Sequence, residues 1–145
     1  MFKENWIAVA DGNEQARSLF KRHYSYRPYK DGRQPKLFVG PGEKLVLISP
    51  EATALFVWRK FSSMDNQNGV NCAVFRNESK FLSSQLILEA EEIAKKKWPG
   101  ENRFYTYVNS NKILSKNVGC CFKKAGWKVC GETKRHRLTI LEKVW

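Results

Sequence analysis

Long apolar runs are absent from this sequence. No stretch of eighteen consecutive apolar residues occurs, so no segment is expected to cross a bilayer as a helix. The first fifteen residues lack the apolar core of a secretory signal peptide, which predicts a cytoplasmic protein. Internal repeats and domain linkers are absent too. Residues 1–145 are therefore expected to fold as a single domain with a core of its own.

Paired metal-binding cysteines are also absent. The chain has four cysteines, but it has no Cys-x-x-Cys motif of the kind that delivers zinc ligands. Cys120 and Cys121 are adjacent, which suits joint ligation of one zinc poorly, although Cys130 and His136 could complete a set. A catalytic thiol would need a nearby base and a lowered pKa, and the sequence offers no clear partner. We therefore expect reduced thiols that pack as small apolar side chains, and no metal.

Acidic residues are scarce as well. The chain has 14 Asp and Glu against 26 Lys and Arg, a net charge of +12, and such an excess attracts polyanions. Nucleic acid is the favoured partner, because the neutralisation of phosphates supplies most of its non-specific affinity for proteins. The alternative is a soluble protein that is merely basic.

The positive charge is concentrated in two segments. Residues 21–36 hold six Lys or Arg against one acid, interleaved with tyrosines, and residues 112–137 hold eight basic side chains against one acid. Cations can follow a phosphate backbone while aromatic rings stack on bases. A solvated loop whose tyrosines pack inward is the alternative. The candidate nucleic-acid contacts are Arg22, Tyr26, Arg27, Lys30, Arg33, Lys134 and Arg135.

Hydrophobic periodicity predicts the element order β, α, several β, α, β, α, β, β. This order predicts an α/β fold in which a mixed sheet carries helices on its faces. The first helix is expected to be capped by Asp11 or Asn13 and to run to about Tyr24. Two strands are expected around the turn at residues 40–42, and a hairpin is expected at the end of the chain.

The longest predicted helix ends at Trp98, before a Pro-Gly pair. Ser83 or Ser84 is expected to cap it. Its apolar stripe comprises Leu86, Ile87, Ala90, Ile93, Ala94 and Trp98. Its polar positions predict two i,i+4 ion pairs, Glu91 with Lys95 and Glu92 with Lys96.

The segment from Asn117 to Trp127 has the pattern N-x-G-x-x-F-x-x-x-G-W. We expect a short helix that begins near Asn117, turns Phe122 inward and ends at Gly126, with Trp127 buried. This pattern resembles the N-x-x-A-x-x-x-Y-x-x-x-G-F segment of the GNAT acyltransferase fold, and the order of elements agrees with that fold.

The resemblance implies a mostly antiparallel central sheet in which the strands before and after the long helix splay apart. It implies acetyl-CoA or a related acyl-CoA as cofactor, bound in the gap with its pyrophosphate at the helix N-terminus, where free N–H groups suit an anion. The cofactor-binding residues implied are Arg76, Ser79, Ser83, Ser84, Asn109, Asn117 and Phe122. Two features depart from the family pattern: the phosphate-loop segment RNESKFLSS has no glycine, and Phe122 stands where a general-acid tyrosine is frequent.

A narrower resemblance is to the Mom-like phage DNA-modification proteins, a GNAT-like group without the glycine loop. It rests on His23-Tyr24 after the first helix, and on an N-x-x-S-like segment leading into the long helix, which supplies Asn77, Ser79, Ser83 and Ser84. The resemblance implies acylation of adenine in DNA. An enzyme that acts on a base extrudes it or uses single strands, and aromatic stacking surfaces serve that purpose.

The candidate catalytic residues are His23, Tyr24, Glu78 and Tyr107. His23 is a base near neutral pH or a packed core histidine, and Tyr24 is a donor, a stacking ring or a core aromatic. Glu78 is a base or a first-turn acid of the long helix. By strand alternation Tyr107 shares a face with Tyr105, and one of these two could supply the hydroxyl that Phe122 lacks.

The predicted function is direct acyl transfer from a coenzyme A thioester to an amine, with DNA as the favoured acceptor. A base takes the proton of the amine, backbone N–H groups polarise the thioester carbonyl, and an acid protonates the leaving thiolate. A non-enzymatic nucleic-acid-binding protein on a degenerate acyltransferase scaffold is one alternative. A GNAT enzyme that acts on a small amine or a protein is another.

Overall fold

A computed structural model of the chain describes residues 5–23, 37–40, 42–61, 67–109, 120–134 and 136–145. Its elements are β1 Ile7–Val9, α1 Glu14–Lys21, β2 Glu43–Ile48, β3 Ala54–Lys60, β4 Val70–Asn77, α2 Ser83–Lys97, β5 Arg103–Val108, α3 Cys120–Lys124, β6 Lys128–Glu132 and β7 Thr139–Val144. No helix within these ranges is long and apolar enough to span a membrane.

The seven strands form one mixed sheet with the order β1-β2-β3-β4-β5-β7-β6. Strands β4 and β5 are parallel, and the other neighbouring pairs are antiparallel. Helix α2 is the crossover between the parallel strands, because parallel neighbours cannot be joined by a tight turn. The predicted mixed sheet, the element order and the terminal hairpin of β6 and β7 are confirmed.

Each face of the sheet carries its own apolar core. On one face, α2 and α3 cover a large aromatic cluster in which the rings of Trp58, Phe104 and Trp127 lie 4.5–6.3 Å apart. On the other face, Ala16 and Leu19 of α1 are fully buried against a smaller aliphatic cluster of strand residues. We call these the α2 face and the α1 face.

Helix α1 begins where an asparagine caps it. The Asn13 side chain accepts a hydrogen bond from the Ala16 backbone N–H at 3.0 Å, which satisfies one of the donors that every helix N-terminus leaves open. Of the two predicted caps, the structure selects Asn13. The helix ends at Lys21, earlier than predicted, and Tyr24 lies outside the described residues.

The prediction of a strand before the turn at residues 40–42 is wrong for the described part of that segment. The backbone N–H groups of Phe38 and Val39 donate to Asp11 Oδ1, at 2.9 and 3.2 Å. Because a carboxylate takes these donors, they do not join a ladder with another strand. Strand β2 pairs instead with β1 and β3.

The predicted serine cap of α2 is also wrong. The cap position is Leu82, and its side chain makes no capping hydrogen bond. Ser83 Oγ instead accepts a hydrogen bond from Asn77 Nδ2 at 2.9 Å. The apolar stripe of the helix agrees with the prediction, with Leu86 and Ala90 among its fully buried residues.

Glu91 lies on the buried side of α2, although it carries a charge. It is 1% exposed. Its carboxylate accepts hydrogen bonds from Lys143 Nζ at 2.7 Å and from Trp127 Nε1 at 3.1 Å, and Lys143 also donates to the Ala125 carbonyl oxygen at 2.9 Å. This network joins α2 to β7 and to the turn after α3, and it satisfies a carboxylate that would be costly to bury alone.

The two predicted i,i+4 pairs of α2 are therefore wrong. Glu91 turns inward to Lys143, and Glu92 pairs with Lys95 three positions away, at 3.6 Å. Sequence spacing identifies which side chains could meet along one helix, but it does not reveal that a lysine from a distant strand reaches the same carboxylate.

The turn after α3 agrees with its predicted pattern. Gly126 adopts a φ of 99°, a conformation that glycine tolerates best, and it ends the helix. Phe122 and Trp127 are buried on the α2 face, as predicted. The expected helix start near Asn117 lies outside the described residues.

Lys143→Met should lower the free energy of unfolding by about 3 kcal/mol, because it leaves the Glu91 carboxylate buried without a cation. Urea unfolding followed by tryptophan fluorescence measures the change. Lys95→Met, which removes the partner of the exposed Glu92 carboxylate, should have a much smaller effect. Equal effects of the two substitutions would contradict a structural role for the buried pair.

Candidate active site

Strands β4 and β5 separate along their length. They pair only from Val70 opposite Phe104 to Cys72 opposite Thr106, whereas β4 continues to Asn77 and β5 to Val108. Beyond Cys72 the facing edges of the two strands have no partner strand within the described sheet. The result is an open wedge in the sheet, the β4–β5 gap, which confirms the predicted splay.

A β-bulge in β4 marks the point where the gap opens. Val57 pairs with Val74 and Trp58 with Cys72, so Ala73 is an extra residue on β4. Such a bulge bends a strand and increases its twist. At the same level, Thr106 Oγ1 of β5 donates to the Cys72 carbonyl oxygen at 2.9 Å, and this bond holds the closed end of the gap together.

The loop from Asn77 to Ser83 connects β4 to α2 at the open end of the gap. Asn77 Nδ2 donates to the Phe81 carbonyl oxygen at 2.8 Å and to Ser83 Oγ at 2.9 Å. Asn77 Oδ1 accepts from Ser79 N at 2.9 Å and from Ser79 Oγ at 2.5 Å. One asparagine side chain therefore organises this loop, which contains no glycine.

The N-terminus of α2 is suited to an anion. The side chain of its N-cap residue, Leu82, makes no capping hydrogen bond, and no acidic residue lies in the first turn of the helix. Ser83 and Ser84, both partly exposed, supply hydroxyl groups at the same end. Free N–H groups and the positive end of a helix dipole favour a negatively charged ligand.

Two arginines converge on Glu78 at the end of β4. Arg22, which follows α1, donates from Nε to Oε2 at 2.7 Å and from Nη2 to Oε1 at 2.9 Å. Arg76 Nε donates to Oε2 at 3.0 Å. The end of α1 is thereby tied to the beginning of the Asn77–Ser83 loop, and both guanidinium groups are engaged by one carboxylate.

This pairing changes what Glu78 can do. The hydrogen bond from Arg22, with a further contribution from Arg76, lowers the pKa of the Glu78 carboxyl below its ordinary value. A carboxylate with a lowered pKa is a weaker base. The first-turn alternative is wrong, because α2 begins only at Ser83. A catalytic role of Glu78 stays a prediction.

His23 lies beside this cluster and is partly buried. The pKa of His23 is lowered to about 4, mainly by burial and also by the charge of Arg76, while a hydrogen bond with the Phe75 backbone opposes the shift. The imidazole is therefore neutral near pH 7 and can accept a proton. Its backbone N–H donates to the Phe20 carbonyl oxygen at 2.9 Å, which anchors it to the end of α1.

The aromatic candidates lie on opposite faces of the gap. Phe122 is buried on the α2 face, with edge contacts to Trp127 at 4.8 Å and to Phe75 at 6.0 Å between ring centroids. Tyr107 is the first residue of β5 beyond the region that pairs with β4. Its ring contacts that of Tyr105 edge-on, at 5.7 Å between ring centroids. Of these residues only the tyrosines carry a hydroxyl.

The cysteines do not form a chemical centre in the described structure. Burial raises the pKa of the Cys72 and Cys121 thiols, so neither is an activated nucleophile. Cys121 packs against the aromatic core, as expected, but Cys130 is exposed and does not act as a core residue. No cluster of three or more His, Cys, Asp or Glu in the described ranges could hold a metal ion.

The structure brings four predicted site residues together, namely Arg22, His23, Arg76 and Glu78. Ser79, Ser83 and Ser84 lie on the adjoining loop and helix end, Asn109 follows β5, and Lys134 is exposed in the β6–β7 hairpin. The predicted residues outside the described part of the chain are Tyr24, Tyr26, Arg27, Lys30, Arg33, Asn117 and Arg135. Their roles stay predictions.

Sequence reasoning missed three polar positions inside the sheet: Thr106, Asn71 and Arg59. Asn71 is 5% exposed, and it interrupts the apolar run of β4, whereas Arg59 follows the last apolar residue of β3. An isolated polar residue inside an apolar strand is a usable signal. The bulge at Ala73 has no such signal, because no glycine or proline marks it.

Two solved structures resemble the whole chain. A Bacillus subtilis acetyltransferase in complex with CoA matches with a TM-score of 0.66 and 14% identity over 99% of both chains. An aminoglycoside acetyltransferase in complex with coenzyme A matches with a TM-score of 0.62 and 11% identity, over 97% of this chain and 94% of that one. The fold is that of the GNAT acetyltransferases. No protein-family model and no curated protein matches the sequence significantly.

His23 should make stability depend on pH. Its pKa of about 4 lies below the ordinary 6.5, so between these values the unfolded chain binds a proton that the folded chain does not. The free energy of unfolding should fall as pH is lowered through this window, by at most about 1.4 kcal/mol per pH unit. His23→Gln should remove this slope.

Urea unfolding at pH 5, 6 and 7 measures the difference between the two proteins. This range lies above the ordinary value of 4.5 for the Glu78 carboxyl, whose own contribution is lost at lower pH. Parallel curves for the two proteins would place the His23 pKa near its ordinary value and contradict its burial as a neutral imidazole.

Proposed function

We propose that this protein transfers an acyl group from a coenzyme A thioester to an amine, with a base of single-stranded or extruded DNA as the acceptor. The observation that carries the proposal is the β4–β5 gap with the uncapped N-terminus of α2 at its open end. The coenzyme A complexes of the two similar structures support the choice of donor.

The donor side of the gap fits an anionic cofactor. The N–H groups at the start of α2 and the hydroxyls of Ser83 and Ser84 offer hydrogen bonds to phosphate oxygens. The Glu78 carboxylate, the acid at this junction, is neutralised by two arginines and does not repel such a ligand. Asn77 holds the intervening loop in place of the usual glycines.

When bound, the coenzyme A thioester supplies the acyl group and the leaving thiolate. Backbone N–H groups on the free edge of β4, beyond the bulge at Ala73, can donate to the thioester carbonyl oxygen. His23 accepts the proton that the amine loses as its nitrogen bonds to the acyl carbon. Tyr107 donates a proton to the sulfur as the carbon–sulfur bond breaks.

His23 suits an acceptor of low basicity. A base amine is not protonated near pH 7, so it needs no prior deprotonation, and its proton becomes acidic only as the new bond forms. A neutral imidazole with a pKa of about 4 can take such a proton. An alkylamine, which is protonated near pH 7, would need a stronger base.

The acceptor side of the sheet supports a nucleic-acid substrate. His23 and Phe38 flank the basic tyrosine-rich segment in the sequence, and both lie on the α1 face. His23 is at the end of α1. The Phe38 ring stacks on that of Phe20, at 5.1 Å between ring centroids. The net charge of +12 adds a long-range attraction for phosphates.

A nucleic-acid-binding protein without catalytic activity is the second candidate. The observation that favours it is Phe122, which fills the frequent general-acid position and is buried against Phe75 and Trp127. In that case the gap would be retained as part of the fold, and no acyl transfer would occur.

Acetyl-CoA should bind with micromolar affinity, and Ser84→Glu should weaken binding by more than about tenfold, because the new carboxylate meets the pyrophosphate. Isothermal titration calorimetry measures both affinities. Asn102→Glu adds the same charge at the opposite end of β5 and should leave binding unchanged. An equal loss in both variants would contradict a donor site at α2, and no binding by the wild-type chain would overturn the proposed function.

Incubation with labelled acetyl-CoA and a single-stranded oligonucleotide should transfer label to a base, identified by mass spectrometry of the digested nucleosides. Tyr107→Phe should slow transfer by about a hundredfold or more, as expected for loss of a general acid, while acetyl-CoA binding is unchanged. Binding of the oligonucleotide without any transfer would favour the non-enzymatic alternative.

A further inference from the structure

Two buried polar atoms on the α1 face have no hydrogen-bond partner within the described chain. They are Arg59 Nε, a donor, and Asn71 Oδ1, an acceptor. Arg59 of β3 and Asn71 of β4 are directly opposite each other in the ladder, so their side chains lie side by side on one face. A buried polar group that lacks a partner is destabilising, and its retention in a strand calls for an explanation.

The Arg59 guanidinium is held in place without an acid. It lies over the Phe61 ring at 3.5 Å from the centroid, and an added Cβ at Gly40 would collide with its Nη1 atom. No carboxylate in the described ranges pairs with it. Partial burial lowers the pKa of the group. Its Nε–H makes no hydrogen bond within the described chain.

The pair lies close to the point where the β4–β5 gap opens. Asn71 precedes the bulge at Ala73 by two residues, and it is opposite Tyr105 of β5. Because Trp58 and Cys72 belong to the core of the α2 face, strand alternation places their neighbours Arg59 and Asn71 on the α1 face. His23 and Tyr107 lie on this face too, so a ligand held by the pair would be on the acceptor side.

We propose that Arg59 and Asn71 recognise the acceptor base by its amino-substituted edge. The guanidinium donates to a ring nitrogen, and Asn71 Oδ1 accepts from the adjacent exocyclic amine. This inference rests on the proposed function and adds to it the residues that select the substrate. Adenine and cytosine share this edge, with an amine beside an unprotonated ring nitrogen.

The chemistry of the pair matches this edge. The protein presents a donor, the Arg59 guanidinium, beside an acceptor, Asn71 Oδ1. The base edge presents an acceptor, the ring nitrogen, beside a donor, the amine, so the two are complementary. Arginine and asparagine are residues that proteins use to read base edges. The same bond that selects the base would hold its amine, the nucleophile, beside the bulge. A base that lacks the amine would leave Asn71 Oδ1 unpaired again, which is the situation that gives strong discrimination.

The test uses the full chain and single-stranded oligonucleotides in which one base stands among abasic sites. The bases are adenine and purine, which lacks the 6-amino group, and cytosine and 2-pyrimidinone, which lacks the 4-amino group. Fluorescence anisotropy measures the dissociation constants. For at least one pair, the wild-type chain should bind the aminated base at least about tenfold more tightly, and the pair that shows this identifies the acceptor.

The discrimination ratio is the dissociation constant for the base without the amine divided by that for the aminated base. Asn71→Leu and Arg59→Met should each reduce this ratio to about one. Asn71→Leu should also raise the melting temperature, because it replaces an unsatisfied buried amide by an apolar side chain of similar size. If Asn71 had only a structural role, Asn71→Leu would instead lower the melting temperature and leave the ratio unchanged. Asn102→Leu, the same change at an exposed position, should alter neither quantity.

A wild-type ratio of one for both pairs would overturn the inference, as would a ratio that both variants retain. The acetyl-CoA titration separates this failure from failure of the proposed function. If acetyl-CoA binds and both ratios are one, the proposed donor site is supported and the proposed recognition of the base by Arg59 and Asn71 is wrong. If the donor does not bind, the proposed acyl transfer fails, whereas the base-binding ratio is still measurable by itself.

Discussion

The extra residue at Ala73 is the constraint on which the site depends. It turns Val74 toward the aliphatic core under α1 and Phe75 toward the aromatic core under α2, and it coincides with the end of pairing between β4 and β5. A regular β4 could continue its parallel ladder with β5. The bulge prevents this, while the hydrogen bond from Thr106 to Cys72 keeps the strands joined below it.

The two faces of the sheet differ in the polar groups that they bury. The α2 face holds large aromatic side chains and one charged group, Glu91, whose carboxylate is satisfied by Lys143 and Trp127. Trp98 Nε1 in the core of this face lacks a hydrogen-bond partner among the described residues. The α1 face carries neutral His23 and the unpartnered atoms Arg59 Nε and Asn71 Oδ1. The donor and acceptor left side by side on the α1 face are the reason why we propose the acceptor site there.

Charge in this protein acts at two ranges. The excess of basic residues attracts polyanions from a distance, but it does not specify a site. At the junction of β4 and the Asn77–Ser83 loop, Arg22 and Arg76 are both engaged by Glu78. Because this pairing occupies both guanidinium groups, we propose the N–H groups at the start of α2 as the anion site.

Local sequence signals were sufficient for the element order, for Asn13 as a cap, and for the turn at Gly126 with Trp127 buried after it, because each depends on residues a few positions apart. The resemblance of the segment around Phe122 to a known family motif also implied the acyltransferase fold. Tertiary structure alone decided that Glu91 pairs with Lys143, that Asp11 takes the donors of an expected strand, and that Asn71 lies beside Arg59. These contacts join residues far apart in the chain, and their geometry follows from strand register and a bulge that no local pattern encodes.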